Sequence, residues 1–249
     1  MNNDKSIKCV VLESGGVDSS TCLGIAVDKY GAENVKALGI TYGQKHIIEQ
    51  ESAQKIADYY GVSLDHIDIT PVMQYSKCSL MANSTEEVPE KSYAEQIEEN
   101  GTGRVTTYVP YRNGTLLSVA AAYADSVFPG QQVVIYYGAH ADDAAGDAYA
   151  DCSVEFIKAQ AEAIRIGTYG NITLEGPLAK LNKTGVVELG LSLKKPVPYE
   201  YTHSCYNGVK GGCGKCATCI DRAAAFAANG LMPDGRPAEL ECYESDIEF

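Results

Sequence analysis

Between the apolar run Lys8-Cys9-Val10-Val11-Leu12 and the helical pattern that begins at Ser19 stands Ser14-Gly15-Gly16-Val17-Asp18-Ser19. A strand followed at once by glycines and a helix start leaves backbone N–H groups converging where the helix dipole already favours an anion. Gly15 and Gly16 permit the tight turn, and Ser14 and Ser19 add hydroxyl donors. Asp18 can orient the loop or hold a magnesium ion that bridges phosphates. These six residues predict a phosphate cradle at the end of a first strand, the alternative being a plain strand-to-helix turn. The Gly-Lys-Ser/Thr ending of a P-loop and the third glycine of a dinucleotide-binding turn are both missing.

Outward from this turn, short apolar runs alternate with longer helix-like stretches. Strands are predicted at 8–12, 35–41, 63–69, 132–137 and 172–174, and helices at 19–30, 47–60, 113–127, 153–166 and 183–193. That alternation predicts an α/β fold, an open parallel sheet with helices on both faces. Residues 1–200 would form this body, and 201–249 a small helical segment with a loosely docked tail from residue 232. The stretch 71–107 is polar, with Glu86, Glu87, Glu90, Glu95, Glu98 and Glu99, and reads as a surface excursion or lid.

Acids outnumber bases 33 to 20, and the resulting net charge of −13 argues against a protein that grips nucleic acid through its phosphates. A small anionic ligand is still compatible with it. No apolar run approaches the roughly 20 residues that span a bilayer, and the N-terminus has no signal-peptide pattern, so a cytoplasmic protein is expected. The nine cysteines are an odd number, and four of them crowd into residues 205–219, which is unlike a disulfide framework. Cys205, Cys213, Cys216 and Cys219 can surround one tetrahedral Zn²⁺, with Gly211, Gly212 and Gly214 letting the backbone close around it. Four thiolates leave no open coordination position, so the metal's role would be structural. An iron–sulfur cluster is the rival ligand for the same spacing.

With both motifs in hand, the chain resembles the 7-cyano-7-deazaguanine synthase family, PP-loop ATP pyrophosphatases of queuosine precursor synthesis. The resemblance runs over most of residues 8–229. It is carried by Ser14 to Ser19, Tyr42-Gly43-Gln44-Lys45-His46 with Glu49, Val109-Pro110, Arg112-Asn113, Asp151-Cys152, Glu155-Phe156, Pro177-Leu178, Lys183 and Ser204-Cys205-Tyr206-Asn207-Gly208. It implies a PP-loop fold and an ATP-dependent ligase that converts 7-carboxy-7-deazaguanine and ammonia into the nitrile. A carboxylate is a poor electrophile, so it would be adenylated, attacked by ammonia to give the amide, and activated a second time before elimination. AMP and pyrophosphate would be released.

Residue roles follow from the same resemblance. Ser14, Gly15, Gly16, Val17, Ser19 and Ser20 would line the phosphates, with Tyr42, Gln44 and Asn113 near the nucleotide. Asp18, Lys183 and Arg112 would act in catalysis, the two bases neutralising charge at the α-phosphate. Asn113 could also be a helix N-cap. His46 and Glu49 lie a helical turn apart and read as an ordinary surface pair.

On the substrate side, Asp151 would accept from the deazaguanine ring N–H and amino group, with Asp142 or Asp143 as a secondary acceptor and His140 as an orienting partner. His203 could touch the substrate or only the metal shell. Mg²⁺ would accompany ATP. The oligomeric state is open, a homodimer included.

Four positions depart from the family pattern: Glu13 before the loop, Tyr111 for a glycine, Ala150 for a proline and Ser153 for an arginine. They motivate two other readings, a paralogue that adenylates another small acid or a protein C-terminus, and a non-catalytic ATP-holding module. A PP-loop enzyme acting directly on RNA is disfavoured by the net charge.

Overall fold

The computed structural model describes residues 7–46, 48–100, 105–142 and 149–238. Five strands, β1 (Lys8–Leu12), β2 (Val35–Thr41), β3 (Ser63–Asp68), β4 (Val133–Tyr136) and β5 (Ile172–Glu175), form one sheet in the order β3-β2-β1-β4-β5. Every pairing is parallel. β1 is central, with Cys9 opposite Val35 on one side and Val134 on the other. A parallel strand with helices on both faces has no solvent face, so its sequence reads as an unbroken apolar run, as Cys9-Val10-Val11 does.

Alternation along the strands sorts the core into two layers. Cys9, Val11, Val35, Ala37 and Tyr136 face α1 (Val17–Tyr30), α2 (Ile48–Tyr60), α7 (Lys183–Ser192) and α8 (Ala217–Ala228), represented by Leu23, Ile56, Val186 and Phe226. Val10, Leu38, Ile135 and Ile172 face α5 (Arg112–Val127) and α6 (Val154–Gly167), through Leu117, Ala120, Ile157 and Ile164. Burying a residue such as Leu23 or Leu38 stabilises the fold by about 1.5–3 kcal/mol.

The segment between β3 and α5 differs from the expected bare excursion. It contains a single helical turn, α3 (Thr70–Met73), and α4 (Tyr93–Asn100). Its scattered apolar residues Met73, Leu80, Met81 and Val88 pack with Val109, Cys205, Cys216 and Cys219 into a third cluster. Spacing without a period hid this, because each apolar residue is delivered singly by a turn. Main-chain bonds from Lys45 N to Leu80 O and from Ala82 N to Gly43 O seal the segment against the end of β2.

Candidate active site

A cavity of about 270 Å³ opens at the C-terminal ends of β1, β2 and β4, the edge where open parallel sheets bind ligands. Ser14, Gly16, Val17, Asp18 and Ser19 line it, together with Tyr42, Gln44, Arg112, Asn113 and Lys183. Gly15, Ser20, His140, Asp142 and Asp151 do not line it. Asp143 lies outside the described residues.

Gly15 sits at φ +81° and is wedged against α2, where an added Cβ would lie 2.3 Å from Glu49 O and 2.7 Å from Ala53 N. Its carbonyl accepts from His203 N–H at 2.8 Å, which ties the loop to the chain entering the cysteine cluster. Gly16 begins α1 in extended conformation. Ser14 Oγ and Ser19 Oγ lie 3.1 Å apart.

Glu13 turns inward under this loop. It is 2% exposed, and its Oε1 accepts from Gly15 N–H at 2.6 Å, Ser19 Oγ at 2.9 Å and Ser20 Oγ at 3.3 Å. Oε2 is buried without a hydrogen-bond partner. Burial pushes this carboxyl up to about 7, against the lowering effect of its three donors.

At the start of α1, Asp18 accepts twice from Lys183 Nζ, at 2.8 and 2.6 Å. His140 Nε2 lies 3.4 Å from the same Nζ and 3.8 Å from Asp18. Asp142 Oδ2 accepts from the Lys183 main-chain N–H at 2.8 Å, and Asn182 caps α7 through Gly185 N–H. His140 and Asp142 therefore gather around the Asp18–Lys183 pair, and Asp142 serves the first turn of α7.

On the opposite wall, Arg112 donates from Nε to Asn113 Oδ1 at 3.1 Å and from Nη1 to Tyr42 OH at 3.4 Å. Its guanidinium also lies 5.5 Å from the Tyr42 ring centre. Asn113 is not the N-cap, because Tyr111 precedes the helix. The Asn113 N–H, an orphan of the first turn, donates to Asp151 Oδ2 at 2.9 Å. Asp151 thus has one oxygen committed to α5, while its Oδ1 is buried and unpartnered.

Two groups also line the cavity that the sequence left elsewhere or undecided, Glu49 read as a surface residue and His203 left between substrate and metal shell. Glu49 is not a surface partner of His46: it is half-buried, and burial pushes its carboxyl up to about 7 despite the nearby Arg112. Its place near the loop follows from the Gly15–α2 packing, which no local pattern announces. His203 is buried with Nε2 unpartnered, and burial lowers its affinity for a proton.

Behind this wall, the sulfurs of Cys205, Cys213, Cys216 and Cys219 all lie within 4.8 Å of one another. A tetrahedral ion with bonds of about 2.3 Å to sulfur needs them on the order of 4 Å apart, so the set fits a metal after slight contraction. Main-chain N–H groups of Lys215 and Cys216 approach Cys213 Sγ at 3.5 and 3.4 Å, and that of Cys213 approaches Cys205 Sγ at 3.4 Å. Such donors favour thiolates.

A family model described as "Queuosine biosynthesis protein QueC" matches residues 8–230. The chain belongs to this family. The 7-cyano-7-deazaguanine synthase of Archaeoglobus fulgidus is 38% identical over 226 residues, covering 90% of this chain and 88% of the relative. That of Picrophilus torridus is 39% identical over 231 residues, covering 91% and 90%. Among solved structures, NMN synthetase from Francisella tularensis aligns with a TM-score of 0.48 and 18% identity over 89% of this chain and 78% of that one, too loose a likeness to carry an argument.

Within this QueC-family chain, two of the departures have local explanations. Tyr111 has φ 51°, the left-handed region where a glycine costs nothing, and offsets this with an edge-on contact to Phe156 at 5.9 Å. Ser153 caps α6, its Oγ accepting from Phe156 N–H at 3.1 Å. Ala150 lies in a short 3-10 turn, and nothing in the structure explains its replacing proline.

Proposed function

We propose that this chain is a 7-cyano-7-deazaguanine synthase, an ATP-dependent carbon–nitrogen ligase that acts in the cytoplasm on 7-carboxy-7-deazaguanine and ammonia. The observation that carries the reading is one cavity joining Ser14, Asp18 and Ser19 of the loop to Arg112 and Lys183, which come from two other parts of the chain. Cradle donors and two cations around one space are what attack at the α-phosphate requires, since charge must be neutralised there as pyrophosphate leaves. Lys183, held by Asp18 in the free site, would move onto phosphate oxygens, and Arg112 would approach from the far wall. Mg²⁺ would enter with the nucleotide.

Adenylation converts the carboxylate oxygen into a leaving group. Ammonia then displaces AMP to give the amide, and a second adenylation, of the amide oxygen, sets up elimination to the nitrile. Asp151 Oδ1, buried behind Asn113 of the cavity wall, would accept from the deazaguanine edge once substrate opens a path to it, while His140 and Asp142 would support the Lys183 side of the site. The four cysteines would hold Zn²⁺, whose closed coordination would fix the 202–219 segment against the loop without touching the substrates. A paralogue acting on another carboxylate is not favoured, because the curated relatives match along nearly their whole length.

The test is incubation with ATP, Mg²⁺, ammonium and 7-carboxy-7-deazaguanine, followed by mass detection of the nitrile. ATP consumption only with a different acid would refute the reading.

A further inference from the structure

We propose that Glu13 is a proton-carrying positioning residue of the phosphate site: its carboxyl holds the cradle's donors in the free protein, and it is neutral when nucleotide phosphate is bound. The inference rests on the reading of this cavity as the ATP site. Glu13 Oε1 accepts from Gly15 N–H and from the Ser19 and Ser20 hydroxyls; of these donors Ser19 lines the cavity, where an entering phosphate would use its hydroxyl, while Gly15 and Ser20 do not line it. Glu13, which itself lines the cavity, therefore competes with an entering phosphate for Ser19.

An ionised Glu13 and a phosphate sharing the Ser19 hydroxyl would repel each other at close range. Among the described residues no lysine, arginine or histidine makes an ion pair with Glu13. The titratable and charged groups around it are Asp18 and Cys22 of α1, Glu49 and Tyr60 of α2, His66 of β3, and His203, with Lys183 and Arg112 on the cavity walls. Lys183 is occupied by Asp18. Protonation removes the conflict. The neutral acid keeps Oε1 as an acceptor for Gly15 N–H and Ser20 Oγ, frees the Ser19 hydroxyl to turn toward phosphate, and makes the orphaned Oε2 a donor. The tendency of this buried carboxyl to hold its proton to about pH 7 agrees with that state.

The sign is definite. Raising the pH ionises Glu13 in the free protein, so binding must then take up a proton and weakens as pH rises. The experiment is titration calorimetry of Mg-ATP between about pH 6 and 8.5 in buffers of differing ionisation enthalpy. Wild-type protein should lose affinity toward tenfold per pH unit above about pH 7, with uptake approaching one proton per nucleotide. Glu13→Gln, which keeps an acceptor and a donor without ionising, should bind with little pH dependence and no such uptake. Wild-type binding without proton uptake overturns the proposal, as does uptake that persists in Glu13→Gln. Should the variant not fold, infrared difference spectra of the wild-type complex at about pH 8 decide. A protonated carboxylic C=O band appearing on binding is expected, and its absence overturns the proposal. No binding by wild-type protein at any pH would overturn the nucleotide reading beneath it instead.

Discussion

Gly15 and Gly16 are adjacent, both lie in the loop, and both look like turn glycines in the sequence, yet the structure predicts opposite outcomes for replacing them by alanine. At Gly15, φ +81° puts an L-residue in the left-handed region, a cost of about 1–2 kcal/mol. The new Cβ would also lie 2.3 Å from Glu49 O and 2.7 Å from Ala53 N, both main-chain atoms of α2 that cannot swing aside. Forcing a methyl into packed space costs about 1–3 kcal/mol more. The sum is about 2–5 kcal/mol, or a drop in Tm of roughly 4–20 °C for a domain of this size. At Gly16, φ −85° and ψ 171° suit any residue, and the nearest atoms to a Cβ are Ser14 Oγ at 3.4 Å and His203 O at 3.7 Å. Reduced freedom of the unfolded chain should then leave Gly16→Ala equal to wild type or about 0.4–1 kcal/mol more stable. Because Gly16 lines the cavity, that variant should lose nucleotide affinity while staying folded. Urea unfolding followed by far-UV circular dichroism, with thermal scans on the same samples, measures all three proteins. Equal stability of Gly15→Ala and wild type, or an equal loss in both variants, would refute the packing argument.

Asp18→Ala and Lys183→Ala should each lower turnover at least about a hundredfold with the fold intact, since among the described residues the side-chain hydrogen bonds and ion pairs of the two groups run to each other and to His140; product analysis should give AMP and pyrophosphate, and ADP with phosphate alone would contradict adenylation. Replacing any of Cys205, Cys213, Cys216 or Cys219 by serine should lower metal content and destabilise the 202–219 segment; elemental analysis showing iron and sulfide, or a metal-free protein that is fully folded and active, would count against zinc. Asp151→Asn keeps the shape but sets an amide against the acceptor role of both oxygens, so KM for the deazaguanine acid should rise more than about tenfold. Because Oδ2 also holds Asn113 at the start of α5, a smaller loss of ATP affinity should accompany it, and normal turnover of the deazaguanine acid would remove Asp151 from base recognition.

What could be read from the sequence divides along physical lines. β1 and β2 fall at their predicted bounds because central parallel strands must be apolar on both faces, and the helices on either side carry the same apolar signal at a different period. The 71–107 segment defeated the same method. Its buried Met73, Leu80, Met81 and Val88 are spaced by turns, and their partners, Cys205, Cys216 and Cys219, lie more than a hundred positions away in the chain. A local window has no access to such partners. The cysteines themselves were legible because metal ligation imposes a spacing rule on one short stretch, whereas packing against them imposes none.

Within the site, legibility depended on whether a residue's role was set by its neighbours in sequence or by elements folded over it. The loop could be read because strand, glycines and helix start are contiguous, so the converging N–H groups follow from local geometry. Glu13 could not, because whether its side chain turns toward the loop depends on how tightly the turn closes, and that is fixed from outside by α2 against Gly15 and by His203 N–H on Gly15 O. Those contacts also bring Glu49, read as a surface partner of His46, and His203, left between substrate and metal shell, to the cavity. The same close approach of α2 that forbids a side chain at position 15 thus presses the loop's donors down onto the Glu13 carboxyl. Loosening that contact should free the donors and, by removing the hydrogen bonds that favour the ionised form, tighten the carboxyl's hold on its proton, which makes the packing of α2 part of the chemistry of the phosphate site.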